Sequence, residues 1–465
     1  MSTPSRRATR STPGASRRVA LDVTVVLAVL LPLLTGGAVL LTRTEAPSQP
    51  DTAPTETALG AASVVCPAAA APTLVTTASG SAGTVTVGLG PDGRQQEVDV
   101  AEGAVATAPG ADDEPVVVRA EDDLAPGLVA GRYDERPLRV AECAAPAPEQ
   151  WFTGVGAGTG HSSVLELVNP DNGPAVADVV VTGRSGLVDA PALRGVAVPG
   201  GSSVRLDLGE VVPRRDELSL HVTTQRGRVF SAVLDRVDEL GAGPRAEDFL
   251  PPQAEPATAL TLLGLPVGSG RRTLVLANHG DSEVRAGLRV VDERSVFAPE
   301  GLEEVRIAPQ SVARVQLGAT LGPLVGDGAL GLVVEATGPV TATLRSFVGG
   351  DLAHAVPSEP VTEPTVAVVP PGRKRLVLSG ATSTGVVEVV ARDAAGEELA
   401  SKRVEVAPDR GFVLGLPARA VHLTVTPDRT PVVGAVVAAT GGAGVVRLHE
   451  LVRSGLVPAV RPGLP

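Results

Sequence analysis

One run of alternating apolar and polar positions recurs along the chain at intervals of about 100 residues. Leu165-Glu-Leu167-Val-Asn169 is matched by Leu274-Val-Leu276-Ala-Asn278 and by Leu376-Val-Leu378-Ser-Gly380. Each reads as a β-strand ending in a turn-former, because side chains alternate faces along a strand and Asn and Gly tolerate tight-turn backbones. A further strand follows each time, at Val176 to Thr182, Val284 to Val291 and Val386 to Ala391. Then VPGGSSVRLDL from Val198, IAPQSVARVQL from Ile307 and VAPDRGFVLGL from Val406 keep their apolar positions in phase. The closing feature is LSLHVTTQRGRVFSAVL from Leu218, LGLVVEATGPVTATL from Leu330 and VHLTVTPDRTPVVGAVV from Val421. Two Val-rich arms about a Gly or Pro-Asp turn predict a hairpin.

Features recurring three times in one order define a repeat. Gly83-TVTVGLGPDG and EPVVVRAEDDLAPGLVAG from Glu114 mark an earlier, degenerate copy. Short Val- and Thr-rich strands, turns every 8–12 residues and no convincing 3.6-residue period in the body of the chain predict an all-β exterior. The expected fold is an N-terminal transmembrane helix followed by a tandem array of three to four immunoglobulin-like β-sandwich modules. The modules cover 63–150, 151–253, 254–360 and 361–455, with a tail at 456–465.

The N-terminus supplies the compartment. Arg6, Arg7, Arg10, Arg17 and Arg18 precede any acidic residue and mark 1–22 as a cytoplasmic tail. Val23 to Thr42 is uncharged and long enough for a helix to cross about 30 Å of hydrocarbon. The competing reading is a signal peptide cut after Ala46, which exports the chain equally. Residues 43–62, rich in Pro, Thr and Ala, read as a tether. The expected localisation is therefore the cell membrane, single pass, with the bulk of the chain outside. Two cysteines, Cys66 and Cys143, fit one structural disulfide in an oxidising compartment.

Charge and composition narrow the chemistry. A net charge of -12 over 465 residues disfavours nucleic acid, whose phosphates call for a basic face. With 2% aromatic residues, ligand binding by stacking has little to draw on. The most distinctive stretch runs from Trp151 to Ser163. Its glycines, Gly154, Gly156, Gly158 and Gly160, lack the spacing, the Lys and the following helix of a phosphate loop, so no nucleotide is expected and the segment reads as a candidate interaction loop. Trp151 reads as a core or interface anchor. His161 with Ser162 and Ser163 is a poor base and nucleophile pair, since neighbours on a strand point to opposite faces. The six histidines show no two-ligand spacing, so no metal and no cofactor are expected. Arg271-Arg272 and Arg373-Lys374-Arg375, each just before a repeat's strand, read as solvated edges or as spots for anionic lipid or wall polymer.

The stretch WFTGVGAGTGHSSVLELVNPDNGPAVADVVV, the nearby LRGVAVPGGSSVRLDL and the N-terminal segment resemble an uncharacterised actinobacterial family of membrane-anchored or secreted proteins of unknown function. The resemblance is specific over 151–210 and brings no catalytic residues. It implies a cell-envelope protein. The expected function is a non-enzymatic structural spacer or interaction scaffold, anchored to the membrane and touching envelope proteins or wall polymer. The alternatives are an accessory to a glycan-processing enzyme, a cryptic enzyme of that kind, and a surface ligand receptor or adhesin.

Overall fold

In the strand Gly385–Arg392, Val387, Val389 and Ala391 enter the core while Glu388 faces solvent, the period-2 burial that suits β-branched residues on a pleated, half-covered surface. The same alternation builds nearly all of the structure, a computed structural model that describes residues 23–41, 54–89, 95–109, 113–135, 137–238, 245–253 and 255–457. The Arg-rich tail 1–22, most of the tether 43–62 and the last residues of the tail 456–465 lie outside the described residues.

The strands from 61 to 447 fall into four groups, over 61–142, 149–250, 257–355 and 365–447, that share one eight-place connectivity; in the second and third groups the fourth place is split into two short strands, Gly186–Val188 with Val196–Val198 and Val296–Phe297 with Val305–Ile307. The first, sixth, third and fourth strands pair in that order, and so do the fifth, second, seventh and eighth; these are two antiparallel sheets in the first and fourth groups and are joined into one in the second, at Ala157 and Ser162, and in the third. The third group runs its sixth and seventh strands together as Gly331–Val348. The predicted closing hairpins are corrected here. Arg215–Arg226 pairs with Glu149–Ala157 and Ala175–Gly183, whereas Phe230–Val237 pairs with His161–Asn169 and Ala246–Leu250. The two arms arch from one sheet to the other, and an arch buries the same alternating Val positions about the same Gly turn as a hairpin does.

The eighth strands are Leu138–Glu142, Ala246–Leu250, Asp351–Ala355 and Gly444–Arg447. Each lies against the next, and the fourth lies against the first. The four sheets that end on them therefore radiate from one axis as a four-bladed β-propeller, each blade backed by its companion sheet. This overturns the expected tandem array of immunoglobulin-like sandwiches. An immunoglobulin sheet pairs its first strand with its second, whereas the first strand of each group here runs against the sixth and meets the second only at Ala157 and Ser162 in the second group. In a row of separate modules the eighth strands would be exposed edges; instead every side chain of Asp351–Ala355 and of Gly444–Arg447 is buried. Residues Thr57–Gly455 pack as one compact unit. Alternation reports that a strand face meets apolar neighbours, and it is silent on whether they belong to the same repeat.

Polar clasps stitch each junction. Asp248 of the second blade accepts from the Val140 N–H of the first at 2.8 Å, and Asp235 of the second takes His354 of the third at 3.1 Å. Asp351 of the third accepts from the Ala443 N–H of the fourth at 2.7 Å, and Glu142 of the first takes Arg447 of the fourth. At that last junction Leu138 and Val140 share a core with the fourth blade, and Tyr133 Oη donates to the Val368 carbonyl at 2.5 Å. Tyr133→Phe removes the donor and leaves a buried carbonyl, which is expected to cost about 1 kcal/mol. A urea midpoint identical to that of the wild type would show that this bond does not support closure.

Cys66 and Cys143 are joined, as the pair predicts, and tie the first strand of the first blade to the residue after its eighth. The bond marks an oxidising, extracytoplasmic environment. The membrane anchor expected over 23–42 is corrected. A helix covers Val23–Leu41 with Pro32 inside it, and its side chains are described from Val26 to Ala38. Among the described residues no helix is long and apolar enough to cross a membrane.

Candidate functional site

The Trp151 to Ser163 stretch is two strands, Glu149–Ala157 and His161–Asn169, about a turn at Gly158 to Gly160. Its glycines place a histidine. Gly154 has a φ of +89° at a register shift between Thr153 and Val155, and its carbonyl turns out to accept from Arg345 Nη1 at 3.0 Å. At Gly156 a Cβ would stand 2.5 Å from the His161 ring and carbonyl, so a side chain there would displace His161. His161 and Ser163 lie on one face and Ser162 on the other, as strand periodicity requires.

His161 and Ser163 meet at a residue far off in sequence. Asp235, fully buried, accepts from Ser163 Oγ at 2.6 Å and pairs with His161 Nε2 at 2.8 Å through Oδ1. Its Oδ2 faces His354 Nε2 of the third blade at 3.1 Å. Burial would raise the Asp235 carboxyl, but the charge of His161 and its hydrogen bond, then those of His354, hold it well below the usual carboxylate range. His354 is correspondingly raised: burial works against its charge, and hydrogen bonds to Asp235 and Asp248 outweigh that. Burial pushes Asp248 itself up to about 6. Ser163 donates to a carboxylate rather than to an imidazole and is wholly buried, so it is not poised as an activated nucleophile.

Trp151 stacks on His221 of its own blade, with ring centroids 3.6 Å apart and planes 3° from parallel, and touches His279 of the third blade at 4.3 Å. Burial, with His221 nearby, lowers His279 to about 4. Thr153 bridges to Ser219 at 3.0 Å and across the junction to Thr341 at 2.5 Å. Trp151 is thus an anchor between the second and third blades. Four of the six histidines converge on this junction, which their spacing in sequence does not signal.

Next to His161 a cleft of about 640 Å³ opens between these blades. Its floor is Glu217, buried between Arg345 at 2.7 Å and Arg314 at 3.3 Å. Arg214 and Arg271 stand on its walls, with Gly158 and Gly160 forming another. The remaining basic spots are mostly interior: Arg272 donates to the Pro266 and Gly268 carbonyls, Lys374 to those of Gly372, Pro417 and Ala418, and Arg375 to Leu265 across the third junction. Among the described residues no group of three or more His, Cys, Asp or Glu is placed to hold a metal ion. Asp235, Glu217, Arg345 and His354 escaped the sequence reading because each meets its partners only through the fold, from strands far apart in sequence.

Residues 100–417 match a family model described as a family of unknown function. The match takes in the whole cleft and the 151–210 stretch that carries the resemblance. No curated protein matches the chain.

Proposed function

We propose that this chain, which belongs to the DUF5719 family of unknown function, is a non-enzymatic extracytoplasmic interaction scaffold: a closed ring that presents the cleft between its second and third blades to a partner. One observation carries the reading. The groups beside the cleft best suited to acid, base or nucleophile chemistry, His161 and Ser163, are both spent on the buried Asp235, where they fix the junction. What lines the cleft beside His161 is arginine and glycine together with Asp216, Glu217 and Asp238, a polar surface suited to recognition. A ring clasped at every junction favours docking over spacing, since it holds a rigid surface and adds little reach.

The test is a cross-linking pull-down of tagged full-length protein from native cells, beside Thr159→Trp. Thr159 is exposed at the hairpin tip and lines the cleft, so the bulky ring fills the mouth without entering a core. The wild type is expected to enrich a discrete envelope protein that the variant loses at an unchanged urea midpoint. The same recovery from both, or none from either, would sink the reading.

A further inference from the structure

We infer that another cavity, between the third and fourth blades, takes a small amphiphilic anion, its apolar chain lying against the blade seam and its carboxylate held by Arg373 at the mouth. The cavity measures about 560 Å³ and shares no residue with the cleft between the second and third blades. Its place follows from strand pairing in the fourth blade. Lys374 opposes Ala438 and Ala438 opposes Gly444, so Arg373, Ala439 and Ala443 stand side by side at the ends of three neighbouring strands. Alternation turns Arg373 and Arg375 to the same side as Val377, which with Val437 and Ala443 belongs to the apolar seam against the third blade. Pro266, Val267 and Val348 of the third blade complete the lining. Gly268 lets that wall close, since a Cβ there would stand 2.8 Å from Val348 Cγ1. Val267 keeps 64% of its surface exposed, an apolar side chain that a ligand chain would cover.

The polar groups of the lining decide what the chain must end in. Lys374 Nζ is spent on the Gly372, Pro417 and Ala418 carbonyls, and Arg375 reaches across the junction to the Leu265 carbonyl at 3.0 Å. Asp351 accepts the Ala443 N–H on Oδ2 and keeps Oδ1 closed to solvent, so it offers a ligand no polar contact. It also makes the Ala443 end one that an anionic head avoids. Two strand spacings, about 10 Å, separate the Arg373 backbone from that of Ala443. Arg373 is the group that remains. It is exposed, its guanidinium makes one hydrogen bond, from Nη2 to the Ala439 carbonyl at 3.5 Å, and among the described residues it has no ion pair. A guanidinium with open N–H groups beside apolar walls matches one carboxylate carried on an apolar body. A sugar or other polyol would leave most of its hydroxyls unpaired against those walls. The volume suits a small ligand of this kind.

The experiment is calorimetric titration of the full-length protein with octanoate and, beside it, with 1-octanol, which has the same chain and no charge. Octanoate is expected to saturate a single site, and octanol to bind there about tenfold more weakly. Arg373→Ser should weaken octanoate about tenfold and leave octanol unchanged, the signature of a contact made by the head alone. Ala439→Trp puts a ring into the cavity from an exposed position and should abolish the binding of both. Thr159→Trp, in the other cleft, should change neither. No saturation by octanoate, equal binding of the two probes, or wild-type octanoate affinity in Arg373→Ser or Ala439→Trp overturns the inference, and so does a loss caused by Thr159→Trp. None of these outcomes depends on what Thr159→Trp does to recovery from cells, so this site and the docking reading stand or fall separately.

Discussion

Glu142→Ala is expected to destabilise the ring by about 3–5 kcal/mol, because it strands a guanidinium that, among the described residues, has no other anion at bonding distance. Glu142 accepts from the Arg447 N–H at 2.9 Å, from Nε at 3.0 Å and from Nη2 at 2.6 Å, with His449 at 3.3 Å on the same oxygen. The side chains of Glu142 and Arg447 are 10% and 7% exposed, so water cannot replace the lost partner. Arg447→Ala should cost a similar amount. The double variant should cost clearly less than the sum, since no buried charge is then left alone. Urea denaturation of the three variants checks this, and a loss below about 1 kcal/mol for Glu142→Ala would refute the clasp.

The same pair has a pH signature. Burial would raise the Glu142 carboxyl, but the charge of Arg447 and the hydrogen bond from His449 overcome it and hold the carboxyl well below the usual range. A folded-state value below the unfolded value of about 4.3 means that the stabilisation is fully present above that pH and is lost as the pH falls below it. Wild type should therefore lose stability between pH 5 and pH 3 more steeply than Glu142→Gln, which has no proton to take up. This clasp joins the last blade to the first, residues 305 apart in sequence, so it decides whether four blades stay a ring.

How far the sequence carries is clearest at equivalent positions. Arg205 and Arg314 share a place in the repeat, which Val413 fills in the last copy, and from sequence this is a basic position lost once. In the structure all three lie at blade junctions. Arg205 meets Asp113 of the first blade at 2.8 Å, Arg314 meets Glu217 of the second, and Val413 packs into the apolar seam between the third and fourth with Leu330 and Val291. The strands were legible because alternation is local. Closure was not, because the partners of Tyr133, Glu142 and His354 lie one blade away and leave no periodic trace. The site shows the same division. The glycines and His161 stand out as a cluster, while Asp235, which explains them, is 74 residues on and needs the fold to bring it near.

Asp235→Ala is the complementary expectation at the second junction, again a loss of about 3–5 kcal/mol, because one carboxylate there serves three donors from two blades. Without it His354, 1% exposed at its side chain, keeps no partner on Nε2, and Ser163 loses the acceptor for its proton. The pH profile separates this from simple cavity formation. His354 is raised by Asp235, so its contribution is present below its unfolded value of about 6.5 and is lost as the pH rises through the folded one. Asp248, raised to about 6, acts in the same direction, its contribution disappearing as the pH climbs through that value. Asp235, lowered, contributes above its unfolded value of about 3.9 and loses that contribution on the acid side. The junction should therefore be firmest near pH 5 and weaken toward pH 8. In Asp235→Ala the decline should shrink, since His354 then has only Asp248 left to favour its proton on folding. Denaturation midpoints at pH 5 and pH 8 for both proteins decide it: an equal decline in the two would mean that His354 does not sense Asp235, and the hub would reduce to packing.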